Sequence, residues 1–128
     1  MFNNKNIFIA LTYKCNAFCQ KCMTRYHINK NHEIDREKLD RFFFLLNKNN
    51  YDGIVSVGTG EPLLYEDIDF FIDNVLNVNE KIRLRMLTNG MLLSSDNHSS
   101  SIFNKRCKWG VTMDAFYQNS LQNLQKGV

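Results

Sequence analysis

The sequence lacks a long apolar run. Before the first cysteine there is only one short apolar stretch, residues 7–11, behind a polar, asparagine-rich lead. The core of a signal peptide has roughly seven to fifteen apolar residues, and a membrane-spanning helix has about 20. We therefore expect a protein of the reducing cytoplasm with no membrane partner.

A strong charge of one sign is also missing. The 16 Lys and Arg residues and the 13 Asp and Glu residues are interspersed, and the formal net charge is only +3. A nucleic-acid-binding protein typically has a basic patch or stripe, so we expect no nucleic-acid partner. The sequence has no glycine-rich phosphate loop followed by lysine, which argues against a nucleotide-binding module of that type. With 128 residues, of which 44% are hydrophobic and 23% charged, we expect one globular domain over residues 1–128.

Cysteine is scarce, but three of the four cysteines lie within eight residues, at Cys15, Cys19 and Cys22. A disulfide cannot use three such thiols, and a structural zinc site needs four ligands, usually in two separated pairs. A four-iron cluster takes one thiolate per iron, so these three cysteines would leave one iron open. The alternative is a zinc site completed by one of three further residues, Cys107, His27 or His32. Cys107 itself is typical of a small buried side chain entering a strand.

Apolar stretches alternate with helical patterns along the chain. We predict strands over residues 7–12, 54–57, 82–87 and 108–113. The first is apolar on both sides, which predicts a strand buried on both faces. A helix capped by Asp35 and a helix opened by Glu66 and Asp67 have clear apolar stripes. Weaker patterns predict helices near residues 99–105 and over 118–126.

This alternation predicts an α/β fold with a parallel sheet and right-handed crossovers. Ligands bind at the carboxyl ends of the strands in such sheets. Each predicted strand ends in polar or glycine-rich residues: the cysteine loop, Gly58 to Glu61, Thr88 to Gly90, and Thr112 with Asp114. We therefore predict one site at this edge. About four strand-helix units cannot close a barrel, since eight of them need roughly 250 residues.

The motif Cys15-x-x-x-Cys19-x-x-Cys22 after a short strand resembles the cluster-binding motif of the radical S-adenosylmethionine enzymes. Thr59-Gly60-Glu61-Pro62, Thr88-Asn89-Gly90 and Thr112-Met113-Asp114 resemble other motifs of that family. The resemblance implies a partial (β/α)6 TIM-barrel-like parallel sheet that is not closed. It covers about the first two thirds of the family's core, so we expect a chain truncated at its C-terminus, or one completed by a homo-oligomer or another partner.

The resemblance also implies an enzyme with a 4Fe-4S cluster and S-adenosylmethionine as cofactors. An external one-electron donor would reduce the cluster, and a 5'-deoxyadenosyl radical would abstract hydrogen from an unknown substrate. Cys15, Cys19 and Cys22 would be the metal ligands. The implied S-adenosylmethionine-binding residues are Lys21, Thr59, Gly60, Glu61, Thr88, Asn89, Thr112 and Asp114.

Two features of the sequence qualify this expectation. Lys21 stands where many family members have an aromatic residue against the adenine, so its aliphatic stem or Phe18 would have to cover the base. Thr59 replaces the first glycine of the family's Gly-Gly-Glu-Pro motif. A non-catalytic metal-binding or iron-sulfur-binding α/β module, either truncated or degraded, is the alternative function.

Overall fold

A four-stranded parallel sheet is the centre of the protein. The computed structural model describes residues 5–15, 32–90, 92 and 100–111. The strands are β1 (Asn6–Ile9), β2 (Ile54–Val57), β3 (Arg83–Thr88) and β4 (Cys107–Val111). They lie in the order β1-β2-β3-β4, and each neighbouring pair is parallel. The prediction of an α/β fold with an open parallel sheet is therefore confirmed.

Two α-helices connect the first three strands. Helix α1 (Arg36–Lys48) is capped as predicted, because the Asp35 carboxylate accepts a hydrogen bond of 2.9 Å from the Lys38 backbone N–H. Helix α2 (Ile68–Val78) follows Glu66 and Asp67, after a short 3₁₀ turn at Pro62–Leu64. The helix predicted near residues 99–105 is a 3₁₀ turn, Ser100–Phe103. None of the described helices is both long and apolar enough to reach across a bilayer.

The core lies on one face of the sheet. Alternate residues of the strands, including Val55, Val57, Leu84 and Met86, are buried against the apolar stripes of α1 and α2. Those stripes are the predicted ones, with Leu39 and Leu46 in α1 and five buried residues in α2: Ile68, Phe71, Ile72, Val75 and Leu76. The helix periodicity and the strand alternation therefore indicate the same interface, between the helices and one face of the sheet.

The first strand differs from its prediction. We expected a strand buried on both faces over residues 7–12, but β1 ends at Ile9, lies at the edge of the described sheet, and alternates between exposed and half-buried residues. Phe8 is 58% exposed. The prediction was wrong because no described helix packs against the face that carries Phe8. Beyond β1, Thr12 forms an antiparallel bridge with Glu33 instead of continuing the sheet.

The last strand begins where Cys107 is buried, 6% exposed, which confirms the prediction that this cysteine enters a strand. Strand β3 is shifted by one residue from its predicted range and includes Thr88. The end of the predicted fourth strand, residues 112–113, and the predicted helix over 118–126 lie outside the described residues.

Candidate functional site

The carboxyl ends of the first three strands bring predicted site residues together. Thr59, Gly60 and Glu61 follow β2, while Thr88 ends β3 and Asn89 follows it. Cys15 follows β1 after a short connection and completes the group. The other predicted site residues, Cys19, Cys22, Lys21, Thr112 and Asp114, lie outside the described residues.

Glu61 connects two of these strand ends. Its side chain is buried, at 1% exposure. One carboxylate oxygen accepts hydrogen bonds from the Thr88 hydroxyl at 2.5 Å and from the Leu63 backbone N–H at 3.2 Å. The other accepts from the Asn89 backbone N–H at 2.8 Å. Three donors satisfy a buried carboxylate, so Glu61 fixes the loop after β2 to the turn after β3.

Gly60 allows the loop after β2 to approach the segment that precedes Cys15. Its φ angle is +73°, and a Cβ atom built on it would lie 2.8 Å from the Lys14 carbonyl oxygen. The next residue, Glu61, donates its backbone N–H to that same carbonyl at 2.7 Å. Only glycine suits both the left-handed backbone and this close contact.

Thr59 also has a left-handed backbone, with a φ angle of 60°. For a β-branched residue this conformation is an outlier, and it costs about 1–2 kcal/mol. Thr59, which stands at the position of a glycine in the resembling family motif, therefore stores local strain at the site.

An antiparallel clasp joins the two ends of the cysteine-bearing segment. Thr12 pairs with Glu33, and the Tyr13 backbone N–H donates to the His32 carbonyl at 3.2 Å. The rings of Tyr13 and His32 are 4.3 Å apart, and the Lys14 ammonium lies 3.3 Å from a Glu33 carboxylate oxygen. The described ends of the chain on either side of residues 16–31 are therefore close together.

Sequence reasoning missed this clasp. The sequence marked His32 only as a possible ligand of the alternative zinc site, but the residue is half-buried and its Nε2 lies 3.0 Å from the Ala10 carbonyl oxygen. No periodic pattern marks two short segments that pair across about 20 residues, so the sequence carried no signal for them.

Cys15 is the one predicted cluster ligand that the structure describes. It is half-buried, and the side-chain amide nitrogen of Asn89 lies 4.0 Å from its sulfur. A thiol beside an amide donor suits an iron-sulfur cluster, since hydrogen bonds to the ligating sulfurs are part of such sites. The described residues contain no group of three or more potential metal ligands, and Cys19 and Cys22 are not among them.

Cys107 does not complete a zinc site with Cys15. It is paired with Leu84 at the start of β4, whereas Thr88 is paired with Val111 at the other end. Cys107 and Val111 are four residues apart along β4, which corresponds to about 13 Å. Burial raises the pKa of the Cys107 thiol to about 12, because an apolar environment disfavours the charged thiolate.

A family model matches most of the chain. The model of the Radical SAM superfamily matches residues 9–107. A GTP 3',8-cyclase of Aliarcobacter butzleri (strain RM4018) is 37% identical over 91 residues, covering 67% of this chain and 27% of that protein. A GTP 3',8-cyclase of Sulfurimonas denitrificans is 38% identical over 92 residues, covering 68% and 28% respectively. The chain therefore spans little more than a quarter of the length of these curated relatives.

Solved structures with the same fold include proteins bound to S-adenosylmethionine. The crystal structure of BtrN in complex with AdoMet and 2-DOIA superposes with a TM-score of 0.64 at 24% identity, covering 71% of this chain and 38% of that one. Streptococcus suis SuiB bound to S-adenosylmethionine gives a TM-score of 0.63 at 22% identity, covering 83% of this chain and 24% of SuiB. At these identities the likeness supports the fold.

Proposed function

The chain belongs to the Radical SAM superfamily, and from this we propose that it is an enzyme that holds a 4Fe-4S cluster through Cys15, Cys19 and Cys22 and binds S-adenosylmethionine at the open iron. The family uses both cofactors. Cys15 lies at the carboxyl edge of the sheet, where this proposal needs a ligand.

Cys15, Cys19 and Cys22 would hold the cluster, and the two cofactors together would supply one-electron reductive cleavage of S-adenosylmethionine and, through the 5'-deoxyadenosyl radical, hydrogen abstraction from a substrate. The protein's own residues bind and orient the cofactors. Glu61 and Gly60 hold the loop after β2 against the segment before Cys15. We propose that the S-adenosylmethionine contacts come from the residues with family motifs: Lys21, Thr59, Gly60, Glu61, Thr88, Asn89, Thr112 and Asp114.

One observation carries this proposal. Asn89 donates its backbone N–H to the Glu61 carboxylate and places its side-chain amide 4.0 Å from the Cys15 sulfur. It therefore joins the ends of β1, β2 and β3 at a single point. A buried carboxylate, a turn amide and the Cys15 thiol converge where parallel α/β sheets bind their ligands.

The substrate and the remaining partners belong to the same proposal. We propose that an external one-electron donor reduces the cluster, and that the enzyme works in the cytoplasm, where clustered thiols stay reduced. The four described strands form an open sheet. Enclosure of the radical therefore needs further residues, a second copy of the chain or another partner, since exclusion of water prevents side reactions.

The non-catalytic module is a second candidate, because the Glu61 carboxylate already has three partners within the protein. Production of 5'-deoxyadenosine distinguishes the two functions. The reconstituted chain, reduced with dithionite and given S-adenosylmethionine, should release 5'-deoxyadenosine, which chromatography quantifies. A Cys15→Ser variant should release none. Cluster-loaded protein that forms no more 5'-deoxyadenosine than Cys15→Ser would support the non-catalytic module.

A further inference from the structure

The sheet has a second face on which none of the described helices packs. Its side chains alternate with the buried ones, and we call it the open face: Asn6, Phe8, Ser56, Arg85, Leu87 and Lys108. The helices instead cover the face of Val55, Val57, Leu84 and Met86. The open face leads to the carboxyl edge, because Leu87 directly precedes Thr88 and Asn89.

Two cations stand side by side on the open face. Arg85 of β3 is the register partner of Lys108 of β4, so their backbones are about 4.8 Å apart and their side chains leave the same face. Both residues are exposed. Like charges directly opposite each other on neighbouring strands are destabilising, and an anion bound between them would relieve this repulsion.

The described part of the protein offers this pair no anion. Its three ion pairs occupy other cations, namely Lys5, Lys14 and Arg36. Nearby Arg83 differs, since its guanidinium donates to the carbonyl oxygens of Glu80 and Ile82. Neither the Arg85 guanidinium nor the Lys108 ammonium has a hydrogen bond or ion pair among the described residues. The two side chains are therefore available to an external ligand.

An apolar platform lies between the cation pair and the carboxyl edge. The Phe8 ring lies over Gly58, 2.9 Å from the position of a Cβ there, and the Leu87 methyl groups come within 3.4 Å of that position and 3.2 Å of the equivalent one at Gly110. Phe8 and Leu87 remain 58% and 40% exposed. Gly58 and Gly110 thus leave room for the Phe8 and Leu87 side chains, whose exposed parts form an apolar surface for a ligand.

We propose that the open face binds a small substrate that carries a phosphate group beside a flat apolar or aromatic part. Arg85 and Lys108 hold the phosphate, since guanidinium and ammonium groups are phosphate ligands. Phe8 and Leu87 contact the apolar part. Three strand residues, about 10 Å, separate Arg85 from Thr88, so such a molecule spans from the cations towards Cys15. This substrate class rests on the proposed function, which sets the reaction at that edge.

Phenyl phosphate is a suitable probe, because it joins a ring to a phosphate. Calorimetric titration of the reconstituted full chain should show binding that the double variant Arg85→Gln/Lys108→Gln weakens by about tenfold or more, the loss expected for two charge-assisted hydrogen bonds. The control double variant Lys38→Gln/Arg41→Gln makes the same charge change on α1 and should bind as the wild type does. Phe8→Ala should weaken binding of phenyl phosphate more than binding of inorganic phosphate.

Two results would overturn the proposal: equal affinity in the wild type and the Arg85→Gln/Lys108→Gln variant, or an equal loss in the control variant. Circular dichroism checks that the variants fold, and single Lys108→Gln, at an exposed position, supplies the same test with less change. The paramagnetic response of the cluster to S-adenosylmethionine is measured on the same samples. Its absence alongside a phosphate affinity that depends on the pair would reject the proposed function and leave the anion site standing.

Discussion

Replacing Glu61 tests the central contact of the site. Glu61→Ala removes the acceptor for two buried backbone N–H groups, those of Leu63 and Asn89, and for the Thr88 hydroxyl. The hydroxyl can rotate to another acceptor, but the two N–H groups cannot. An unsatisfied buried donor costs about 1–3 kcal/mol, so we expect the free energy of unfolding to fall by about 3 kcal/mol.

Glu61→Gln should cost less, because the amide keeps one acceptor oxygen and its NH₂ can donate to the Thr88 hydroxyl. We expect a loss of about 1–2 kcal/mol, since one backbone N–H then lacks a full partner. Urea unfolding followed by circular dichroism measures both variants, provided that the dependence on denaturant is unchanged. Glu80→Ala, at an exposed position, is the matched control and should stay within about 0.5 kcal/mol.

A Glu61→Ala protein as stable as the Glu80→Ala control would refute the reasoning, because the carboxylate would then not hold the two loops together. The same variants carry a functional test. If the loops position S-adenosylmethionine, the affinity for it should fall in the order wild type, Glu61→Gln, Glu61→Ala. A non-catalytic module predicts a loss of stability only.

Three further predictions concern single residues of the site and of the sheet. Gly60→Ala should lower the free energy of unfolding by about 1–3 kcal/mol, because Gly60 has a positive φ and lies close to neighbouring backbone. Gly110→Ala is the control and should lower the melting temperature less, because a Cβ there would meet only a side chain within 3.4 Å. Equal melting temperatures of the two variants would count against the close backbone approach at Gly60. Asn89→Ser should make the reduction potential of the cluster more negative by about 20 mV, because it removes the hydrogen bond from the Asn89 amide to the Cys15 sulfur. A weak hydrogen bond of about 0.5 kcal/mol corresponds to this shift. A redox titration that finds no shift would exclude the hydrogen bond. Burial raises the pKa of Cys107 from 9.0 to about 12, so the contribution of the protonated thiol to stability is complete below pH 9 and is lost as the pH rises towards 12. Between about pH 8 and pH 11, the free energy of unfolding should therefore fall more for the wild type than for Cys107→Ala. Parallel plots of unfolding free energy against pH for the two proteins would contradict the raised pKa.

Periodic patterns predicted the elements that build the core. The stripe of Leu39 and Leu46 and the cap at Asp35 located α1, because helix faces and caps are local signals. The β-branched run of β2 and the residues after it located Glu61 correctly at a carboxyl end.

Periodic patterns could not predict features that depend on contacts between residues far apart in the sequence. The apolar run of residues 7–11 gave no indication that Phe8 faces away from the helices, since which face is covered depends on where α1 and α2 pack. The clasp between Thr12 and Glu33 joins segments with no shared pattern. The role of Glu61 was anticipated only as a cofactor contact, because its partners Thr88 and Asn89 lie 27 and 28 residues away.

The most direct test of the proposed function is electron paramagnetic resonance of the anaerobically reconstituted, dithionite-reduced protein, together with iron and sulfide analysis. The proposed function predicts a four-iron signal that changes when S-adenosylmethionine is added, because Cys15, Cys19 and Cys22 leave one iron open to it. Zinc in place of iron, or a cluster signal indifferent to S-adenosylmethionine, would contradict it.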